Sequence, residues 1–231
     1  MSNTIVVTGA SRGIGFQTVL KLASQNHTVI ATARSAEKLK KLKEKAVPGR
    51  VITIAADLTS EQDLKKLSDI FEKFDHIDGI VNNAGAFHKG SLLETDIEVF
   101  QKLMDVNVFG IVRLTKAAKP KLKSGSHILN ISSMSGYQGS KKFGGLSAYG
   151  ASKAAVVGLS EVLSAEFAED GIAVNCLCIG AVQTEMFEDA FPGFEAPVQP
   201  EQMGAYIADF ILNGHQFYNG KVLPVALNDP S

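Results

Sequence analysis

The chain has 231 residues, of which 45% are hydrophobic and 20% charged, and its formal net charge is -1. This length suits one α/β domain with a substantial core, and the near-neutral charge leaves no electrostatic footprint for nucleic acid. The two cysteines, Cys176 and Cys178, imply neither a disulfide framework nor a zinc site and are expected to be small buried side chains.

Residues 1–7 lack a basic stretch followed by a long apolar one, so no signal peptide is predicted. No apolar run reaches the length of a membrane span. We therefore expect a cytoplasmic protein without membrane or nucleic-acid partners. Lysines at five positions between residues 38 and 45 are interrupted by glutamates, and we interpret them as a solvated helix face.

Short β-branched runs alternate with amphipathic stretches along the whole chain. Strands are predicted at residues 4–8, 28–32, 51–55, 77–82, 126–132, 173–178 and 221–226. Helices are predicted near 13–25, 36–46, 60–74, 96–122, 149–169 and 201–213, with capping boxes at Thr59/Gln62 and Thr95/Glu98. Near-continuous apolar strands indicate a parallel sheet covered on both faces. The expected fold is a Rossmann-like, doubly wound α/β sheet of about seven strands, in one domain over residues 1–231.

Two irregular segments interrupt this alternation. Residues 136–145 are rich in glycine and basic residues, and residues 183–200 carry three phenylalanines and three prolines. Long irregular stretches in a compact domain are often binding loops. We predict that residues 183–200 form a mobile lid over a substrate site.

The first predicted strand runs directly into a glycine-rich turn, with glycines at positions 9, 13 and 15, and then into a helix. Glycines let the backbone approach a ligand closely, and the start of a helix favours an anion. The turn therefore predicts a pyrophosphate site. A strand-to-helix turn can also need glycine for structural reasons alone.

Tyr149 precedes Lys153 by four residues at the start of a helix-like segment. Four residues span about one helical turn, so the two side chains share a face. A phenol has a pKa of about 10, and a nearby ammonium group favours the phenolate. The pair is expected to donate and accept protons near neutral pH, although this spacing also occurs by chance in many helices.

These features together resemble the short-chain dehydrogenase/reductase family in its single-domain form, from residue 4 to about residue 226. The matching segments are the turn at 8–15, Asp57-Leu58, Asn82-Asn83-Ala84-Gly85, Asn107, Ser133, and Tyr149 with Lys153. Taken singly, each could be a turn former, a cap or a buried polar group. Those explanations leave the matching order along the chain unexplained.

The resemblance implies an oxidoreductase that interconverts a carbonyl compound and its alcohol by hydride transfer with NADP(H), without a metal. It implies that Tyr149 protonates the carbonyl oxygen and that Ser133 hydrogen-bonds this oxygen. It implies that Lys153 lowers the Tyr149 pKa and holds the nicotinamide ribose, while Asn107 helps to hold a proton-relay water. The implied cofactor-binding residues are Gly9, Ser11, Arg12, Gly13, Ile14, Gly15, Arg34, Asp57, Leu58, Asn83, Ala84, Gly85, Tyr149, Lys153, Gly180, Val182 and Thr184.

The end of the second predicted strand favours NADP(H) over NAD(H). An NAD enzyme would place an acidic residue there for the ribose hydroxyls, but Arg34 follows the strand and Glu37 is the first acidic residue. Arg12 and Arg34 are expected to bracket a 2′-phosphate, which guanidinium groups bind well.

Three features depart from the family's pattern. Ile179 replaces the proline usual before Gly180, the segment from Ser133 to Tyr149 is longer than usual and contains Lys141, Lys142 and Phe143, and the C-terminal segment lacks a glycine pair. These departures bear on the substrate, which the sequence leaves open, more than on redox chemistry.

Other functions and an assembly state are also considered. A catalytically silent NADP-binding regulator of the same fold would be expected to have a damaged Ser–Tyr–Lys set, and this set is intact. Dehydration or epimerisation by a related enzyme stays open. The predicted helix that carries Tyr149 has few charges, so we expect a homodimer or homotetramer built through it, unless the C-terminal segment covers that face.

Overall fold

A computed structural model describes residues 2–227 of the chain. The sheet has seven parallel strands in the order β3-β2-β1-β4-β5-β6-β7. The strands are β1 Thr4–Thr8, β2 Thr28–Ala33, β3 Val51–Ala55, β4 Ile77–Asn82, β5 Leu122–Ser133, β6 Ala173–Ile179 and β7 Val222–Val225. The predicted Rossmann-like doubly wound fold is confirmed.

Helices connect successive strands and cover both faces of the sheet. They are α1 Gly13–Ser24, α2 Ala36–Lys45, α3 Glu61–Phe71, α4 Ile97–Met104, α5 Gly110–Ala118, α6 Ser147–Glu166, α7 Glu185–Ala190 and α8 Pro200–Asn213. Among the residues described, no helix has both the length and the apolar character that crossing a membrane requires.

Alternate side chains of each strand enter two separate cores, because successive strand residues point to opposite faces of a sheet. Val7 packs in the core beneath α1 and α8, together with Val19 and Ile207. Its neighbour Val6 packs in the opposite core with Leu114 of α5. Strands buried on both faces need apolar residues at nearly every position, which explains the continuous hydrophobic runs in the sequence.

The predicted long helix at 96–122 is divided in the structure. A π-helical turn, Asp105–Phe109, separates α4 from α5, and a short 3-10 turn, Lys119–Lys121, precedes β5. The hydrophobic periodicity continues through the π turn, so the pattern alone did not reveal it. Strand β5 consequently starts at Leu122, four residues earlier than predicted.

Both predicted capping boxes are wrong by one residue. Helix α3 begins after Ser60, whose hydroxyl accepts from the Asp63 backbone N–H. Helix α4 begins after Asp96, while the Thr95 hydroxyl donates to the Ser91 carbonyl. Thr, Ser and Asp are all good caps, so composition could not choose between adjacent candidates.

The prediction for the cysteines is confirmed, since Cys176 and Cys178 are free thiols buried beneath α6. A more polar buried cluster surrounds His127 in the middle of β5. His127 Nδ1 lies 3.0 Å from the Ile211 carbonyl and Nε2 lies 3.0 Å from Asn175 Nδ2. Because a carbonyl only accepts, Nδ1 carries the proton, and the neutral ring is fully hydrogen-bonded.

This cluster predicts a loss of stability in acid. Burial lowers the pKa of His127 to about 4 from its usual 6.5, so the folded protein resists protonating it. Its neutral form supports folding above pH 6.5, and this support is lost as the pH falls from 6.5 to 4. We expect His127 to account for about 3 kcal/mol of that loss.

Urea unfolding at pH 7 and pH 4.5 measures this loss, and His127→Gln is the matched control because its amide can both donate and accept. The pH-dependent loss should be clearly smaller in the variant. Equal losses in both proteins would contradict the role given to His127.

Candidate active site

The carboxyl ends of β1 and β4 diverge where the chain order of the sheet reverses, which is the usual position of a ligand crevice in this architecture. Thr8 and Asn83 tie the two strand ends together. The Thr8 hydroxyl accepts from the backbone N–H groups of Asn83 and Ala84, at 3.0 and 2.9 Å. The Asn83 amide in turn donates to the Thr8 carbonyl at 3.0 Å.

The turn after β1 can only be built with glycine at two of its positions. Gly9 has a φ of +66°, and a Cβ on it would lie 2.8 Å from the Asn83 amide nitrogen. A Cβ on Gly15 would lie 2.6 Å from the Gly9 carbonyl oxygen. The turn therefore folds tightly onto the loop after β4 and directs the first N–H groups of α1 into the crevice. These unpaired donors fit a dinucleotide pyrophosphate.

Cationic side chains stand beside this turn. Arg12 and Lys38 both contact one carboxylate oxygen of Glu185, at 2.7 and 3.3 Å, and Arg34 is exposed at the end of β2. Lys38 is solvated, since 45% of its side chain is exposed, in agreement with the interpretation of the lysine run as a solvated helix face. Its position in the first turn of α2 points it toward the turn, while Lys41 pairs with Glu37 on the outer side.

Residues Asp57 and Leu58 lie at the rim of the crevice, after β3. The Asp57 carboxylate accepts from both the backbone N–H and the hydroxyl of Thr59, at 2.9 and 2.8 Å. Leu58 packs in the core beneath α3 and α5. Both residues thus have structural contacts that fix the loop.

Tyr149 and Lys153 lie in the first two turns of α6, facing the end of β5. Burial raises the pKa of Tyr149 to about 12, and a hydrogen bond with Ser133 opposes this increase. Ser133 is the last residue of β5, and its hydroxyl also accepts from the Ser135 backbone N–H at 3.1 Å. The structure thus brings the predicted serine, tyrosine and lysine together.

Lys153 is buried without a carboxylate partner among the described residues. Its ammonium group donates to the Ile131 carbonyl at 2.9 Å and lies 5.9 Å from the centre of the Tyr149 ring. Burial lowers the pKa of Lys153 to about 8. Burial dominates the pKa of Tyr149 in this structure, and the Lys153 ammonium group is directed at a carbonyl. That Lys153 lowers the pKa of Tyr149 stays a prediction.

Asn107 occupies the π-helical turn and is completely buried. Its amide accepts from the Ala86 N–H at 2.7 Å and donates to the Ala86 carbonyl and the Ser152 hydroxyl, at 3.0 and 2.9 Å. A π turn inside an α-helix often marks a functional site. Here it aims Asn107 at the loop that passes Lys153. A Cβ on Gly85 in that loop would lie within 3.5 Å of both the Asn107 amide oxygen and the Lys153 ammonium nitrogen.

The loop after β5 is pressed against α6 at Gly136. A Cβ there would approach the Lys153 backbone carbon to a distance that no folded protein tolerates. The Ser132 hydroxyl donates to the Lys153 carbonyl at 2.7 Å from the same side. This loop and β5 together fix the position of α6 relative to the sheet, and therefore the position of Lys153.

Aromatic side chains cover Tyr149. The Phe87 ring lies 4.8 Å from the Tyr149 ring and 6.2 Å from Phe191. Phe187 of α7 packs on Phe191 at 5.2 Å. Lys89 ties the two loops together, since its ammonium group donates to the Ala190 carbonyl at 3.2 Å and lies 4.5 Å from the Phe191 ring. Through these contacts, aromatic residues of the segment 183–200 extend from the Phe87 ring that packs on Tyr149. That this segment is a mobile lid stays a prediction.

The predicted cofactor-binding residues between β6 and α7 are held by contacts with neighbouring segments. Gly180 donates to the Val225 carbonyl at 2.9 Å, and Val182 bridges to Val198. The Thr184 hydroxyl caps α7 by accepting from the Phe187 N–H. Ile179, where the family has proline, extends β6 and pairs with Ser133 and with β7.

The longer loop between Ser133 and Tyr149 does not widen the catalytic site. The Lys142 ammonium group donates to the carbonyls of Met134 and Tyr137, which closes the loop on itself. A cavity of about 440 Å³ opens beside it, on the outer side of α6, with Phe143 and Ala154 in its lining. Neither Ser133 nor Tyr149 lines this cavity.

Several residues at the site were not predicted from the sequence. Ser152 lies one residue before Lys153 in α6, and its contact is with Asn107, which is 45 positions away in the chain. Phe87 lies two residues after the end of the predicted Asn-Asn-Ala-Gly segment. Glu185, Lys38 and Lys89 gave no sequence signal, because their contacts join elements distant in the chain.

The comparisons with known proteins agree with this geometry. A model of the short chain dehydrogenase family matches residues 3–193. Oxidoreductase BOA17 of Botryotinia fuckeliana (strain B05.10) is 35% identical over 214 residues, covering 91% of this chain and 76% of that protein. A short chain dehydrogenase from Burkholderia cenocepacia J2315, solved with NADP, has a TM-score of 0.88 and 27% identity over 99% of this chain and 98% of that one.

A 3-ketoacyl-(acyl-carrier-protein) reductase from Brucella melitensis, solved with NADH, shares the fold with a TM-score of 0.85 at 24% identity, over 97% of this chain and 96% of that one. The chain belongs to the short-chain dehydrogenase family. It is an oxidoreductase of alcohol or carbonyl groups that uses a nicotinamide cofactor.

Proposed function

We propose that this protein is an NADP(H)-dependent oxidoreductase in which Tyr149 is the proton donor and acceptor for a carbonyl/alcohol pair. The observation that carries the proposal is the group formed by Ser133, Tyr149 and Lys153, in which the buried Lys153 ammonium group is held without a neutralising carboxylate among the described residues. Burying an unpaired ammonium group is costly, so its presence favours a catalytic role over a structural one. The intact set argues against a silent regulator.

The protonation states suit carbonyl reduction near neutral pH. When bound, the nicotinamide supplies or takes up the hydride. Tyr149, with a pKa raised to about 12, keeps its proton until a carbonyl oxygen gains charge beside it. Ser133 donates a hydrogen bond to the same oxygen. Lys153, largely protonated below pH 8, stabilises the negative charge that develops on the phenol oxygen.

We propose that Asn107 positions the groups through which a proton returns to Tyr149. Its amide fixes the loop at Ala86 and the helix at Ser152. The narrow space near Gly85, between Asn107 and Lys153, is suited to the relay water that the family resemblance implies. Proton return to Tyr149 would then pass through Lys153.

A preference for NADP(H) is expected from the cations beside the phosphate turn. Arg12 and Lys38 already bind a carboxylate there, and Arg34 lies at the end of β2 without an acidic residue beside it. Charge-assisted contacts to a phosphate are worth about 1.5–3 kcal/mol each. We expect kcat/KM for NADPH to exceed that for NADH by at least about tenfold.

Steady-state kinetics with both cofactors test this preference, with Arg12→Gln as the diagnostic variant. Arg12→Gln should lower kcat/KM for NADPH and leave that for NADH nearly unchanged. Arg50→Gln, which removes a cation away from the crevice, is the charge control. A wild-type enzyme that works as well with NADH would refute the NADP(H) assignment.

The substrate is proposed to be an apolar carbonyl compound, because Phe87, Phe187 and Phe191 form the wall next to Tyr149. The aromatic rings bury apolar surface on a ligand and offer it no hydrogen bonds. Consumption of NADPH across ketones, aldehydes, quinones and 3-oxoacyl thioesters would identify the class. Failure of every carbonyl compound would favour dehydration or epimerisation.

Self-association through α6 is also proposed. Ala154, Gly158 and Val162 form an exposed apolar stripe along this helix, and Phe109 is exposed on the π turn that packs beside it. Chain residues up to 227 do not cover the stripe, since the last described strand pairs with β6 instead. A second copy related by a two-fold axis would bury it.

Light scattering at micromolar concentration measures this association, with Val162→Glu as the disrupting variant and Glu161→Gln as the control on the same exposed turn. We expect the wild type and the control to exceed the chain mass of 24.6 kDa by a factor of two or four. A wild-type protein that elutes as a clean monomer would contradict the proposal.

A further inference from the structure

The start of α7 is fastened to the phosphate-binding turn through a single carboxylate. Glu185 Oε2 contacts Arg12 at 2.7 Å and Lys38 at 3.3 Å, so one oxygen joins three elements: the turn after β1, helix α2 and helix α7. The two cations lower the pKa of Glu185, with the hydrogen bond from Arg12 as the largest cause. Within the described residues, neither cation has a second carboxylate partner within 4.0 Å.

This carboxylate lies beside the turn that is expected to hold the phosphates of the cofactor. Thr184, the residue before Glu185, lies directly over the turn, since a Cβ on Gly13 would be 3.2 Å from its methyl group. A hollow of about 290 Å³ opens beside the ion pairs and is lined by Ser11, Phe16, Lys38, Lys41, Glu44, Lys45 and Glu185. The three lysines and the hydroxyl in this lining are suited to a phosphate, while Glu44 and Glu185 offset part of the positive charge.

We propose that Glu185 is a clasp that occupies the site of the cofactor's 2′-phosphate and holds α7 closed until that phosphate takes its place. The inference rests on the proposed use of NADP(H). A phosphate monoester carries a charge of about −1.5 to −2 and three acceptor oxygens, against one negative charge on a carboxylate. Arg12 and Lys38 therefore exchange Glu185 for the phosphate when it is present.

The clasp makes Glu185 a specificity-determining residue for the cofactor. Binding of the phosphate and closure of the clasp compete for the same cations, and by linkage each weakens the other by the same factor. NADH, which lacks the 2′-phosphate, leaves the clasp closed. The other end of α7 stays attached through Lys89, so release at Glu185 frees only the end near the turn. In the complete complex, contacts from Thr184 to the nicotinamide end would hold the lid again.

The strength with which Glu185 competes against the phosphate depends on how exposed its two ion pairs are. The Arg12, Lys38 and Glu185 side chains are 41%, 45% and 54% exposed. Exposed pairs are weak, at about 0.2–1 kcal/mol each, so two of them together change an equilibrium by about two- to thirtyfold. We expect Glu185→Gln to bind NADPH about three- to tenfold more tightly, and NADH within about twofold of the wild type.

Binding titrations followed by nicotinamide fluorescence test the first consequence. Asp189→Asn is the control, because it removes the same charge from an exposed position on α7 and makes no ion pair among the described residues. Asp189→Asn should bind both cofactors as the wild type does. An equal gain in NADPH affinity from both variants would show a general charge effect and overturn the clasp.

Hydrogen exchange of residues 184–191 tests the second consequence without any redox reaction. Exchange should be faster in Glu185→Gln than in the wild type when no nucleotide is present. Adding 2′,5′-ADP to the wild type should accelerate it to the rate of the variant, whereas 5′-AMP should not. A complete complex of NADPH and substrate should slow it.

The outcomes separate this inference from the proposed function. Tighter wild-type binding of NADH than of NADPH refutes the cofactor proposal, while the exchange of Glu185→Gln without nucleotide still decides whether α7 is clasped. Equal exchange in the variant and the wild type overturns the clasp, whichever cofactor is preferred. Binding of 2′,5′-ADP without acceleration shows that Glu185 does not occupy the phosphate site.

Discussion

Replacing Tyr149 with phenylalanine is expected to reduce kcat by about 10²- to 10⁴-fold, the usual contribution of a positioned general acid. The change removes one oxygen atom and keeps the ring that packs against Phe87 at 4.8 Å. NADPH affinity should therefore stay within about threefold of the wild type. Because the buried phenol loses only its hydrogen bond with Ser133, the free energy of unfolding should change by about 1 kcal/mol or less.

The measurement combines single-turnover reduction with a fluorescence titration of NADPH, so that loss of chemistry is separated from loss of binding. Tyr137→Phe is the matched control, because Tyr137 lies on the loop after β5 and lines the outer cavity. It should keep near-wild-type turnover. A Tyr149→Phe enzyme with near-wild-type kcat would show that another group is the proton donor.

Replacing Lys153 with methionine is expected to lower enzymatic activity and to increase the stability of the folded protein. Loss of the cation should lower kcat by about 10²-fold or more and weaken NADPH binding by about ten- to a hundredfold, as for a lost charge-assisted contact. Lys153→Ala should lose activity and cofactor affinity in the same way, with an added packing defect. Methionine keeps the volume of the side chain and isolates the effect of the charge.

The stability effect follows from the pKa of Lys153, which burial lowers to about 8 from 10.5. Burial of the charged form therefore costs about 3 kcal/mol at pH values below 8, and this cost is relieved as the pH rises from 8 to 10.5. Leaving the Ile131 carbonyl without its donor costs about 1 kcal/mol or more. We expect Lys153→Met to be about 1–2 kcal/mol more stable than the wild type at pH 7.

Urea unfolding at pH 7 and pH 10 measures this effect. The difference between wild type and Lys153→Met should be largest at pH 7 and shrink toward pH 10. Lys153→Arg keeps the charge and should gain no stability. A Lys153→Met protein that is less stable than the wild type at pH 7 would show that the ammonium group stabilises the fold. This result would contradict the inference that the buried charge is kept for catalysis at a cost in stability.

Much of the fold could be predicted because its signals are local. The burial of β1 on both faces produces a continuous apolar run, and the tight turn at Gly9 and Gly15 needs glycine whatever the ligand. The spacing of Tyr149 and Lys153 likewise predicts that both side chains lie on one face of a helix. These features depend on residues within a few positions of one another.

The features that could not be predicted from the sequence depend mainly on contacts between elements that are distant in the chain. Glu185 lies 173 positions from Arg12 in the chain, and no periodicity relates them. The raised pKa of Tyr149 follows from its burial beside Phe87, which a sequence does not display. The π turn at Asn107 leaves the hydrophobic pattern unchanged, so it was hidden within a single predicted helix.

The position of β1 between β2 and β4 has a consequence for synthesis of the protein. Thr4 at the start of β1 bonds to Asp78 of β4, which is 74 positions later in the chain. Because the chain is synthesised at about 5–20 residues per second, β1 is made roughly 4–15 s before β4, its second neighbour in the sheet. During that interval the apolar edge of the nascent strand is open to chaperones and to other unfinished chains. Slowing translation between the codons for β2 and β4 should therefore increase aggregation more than slowing it after β5.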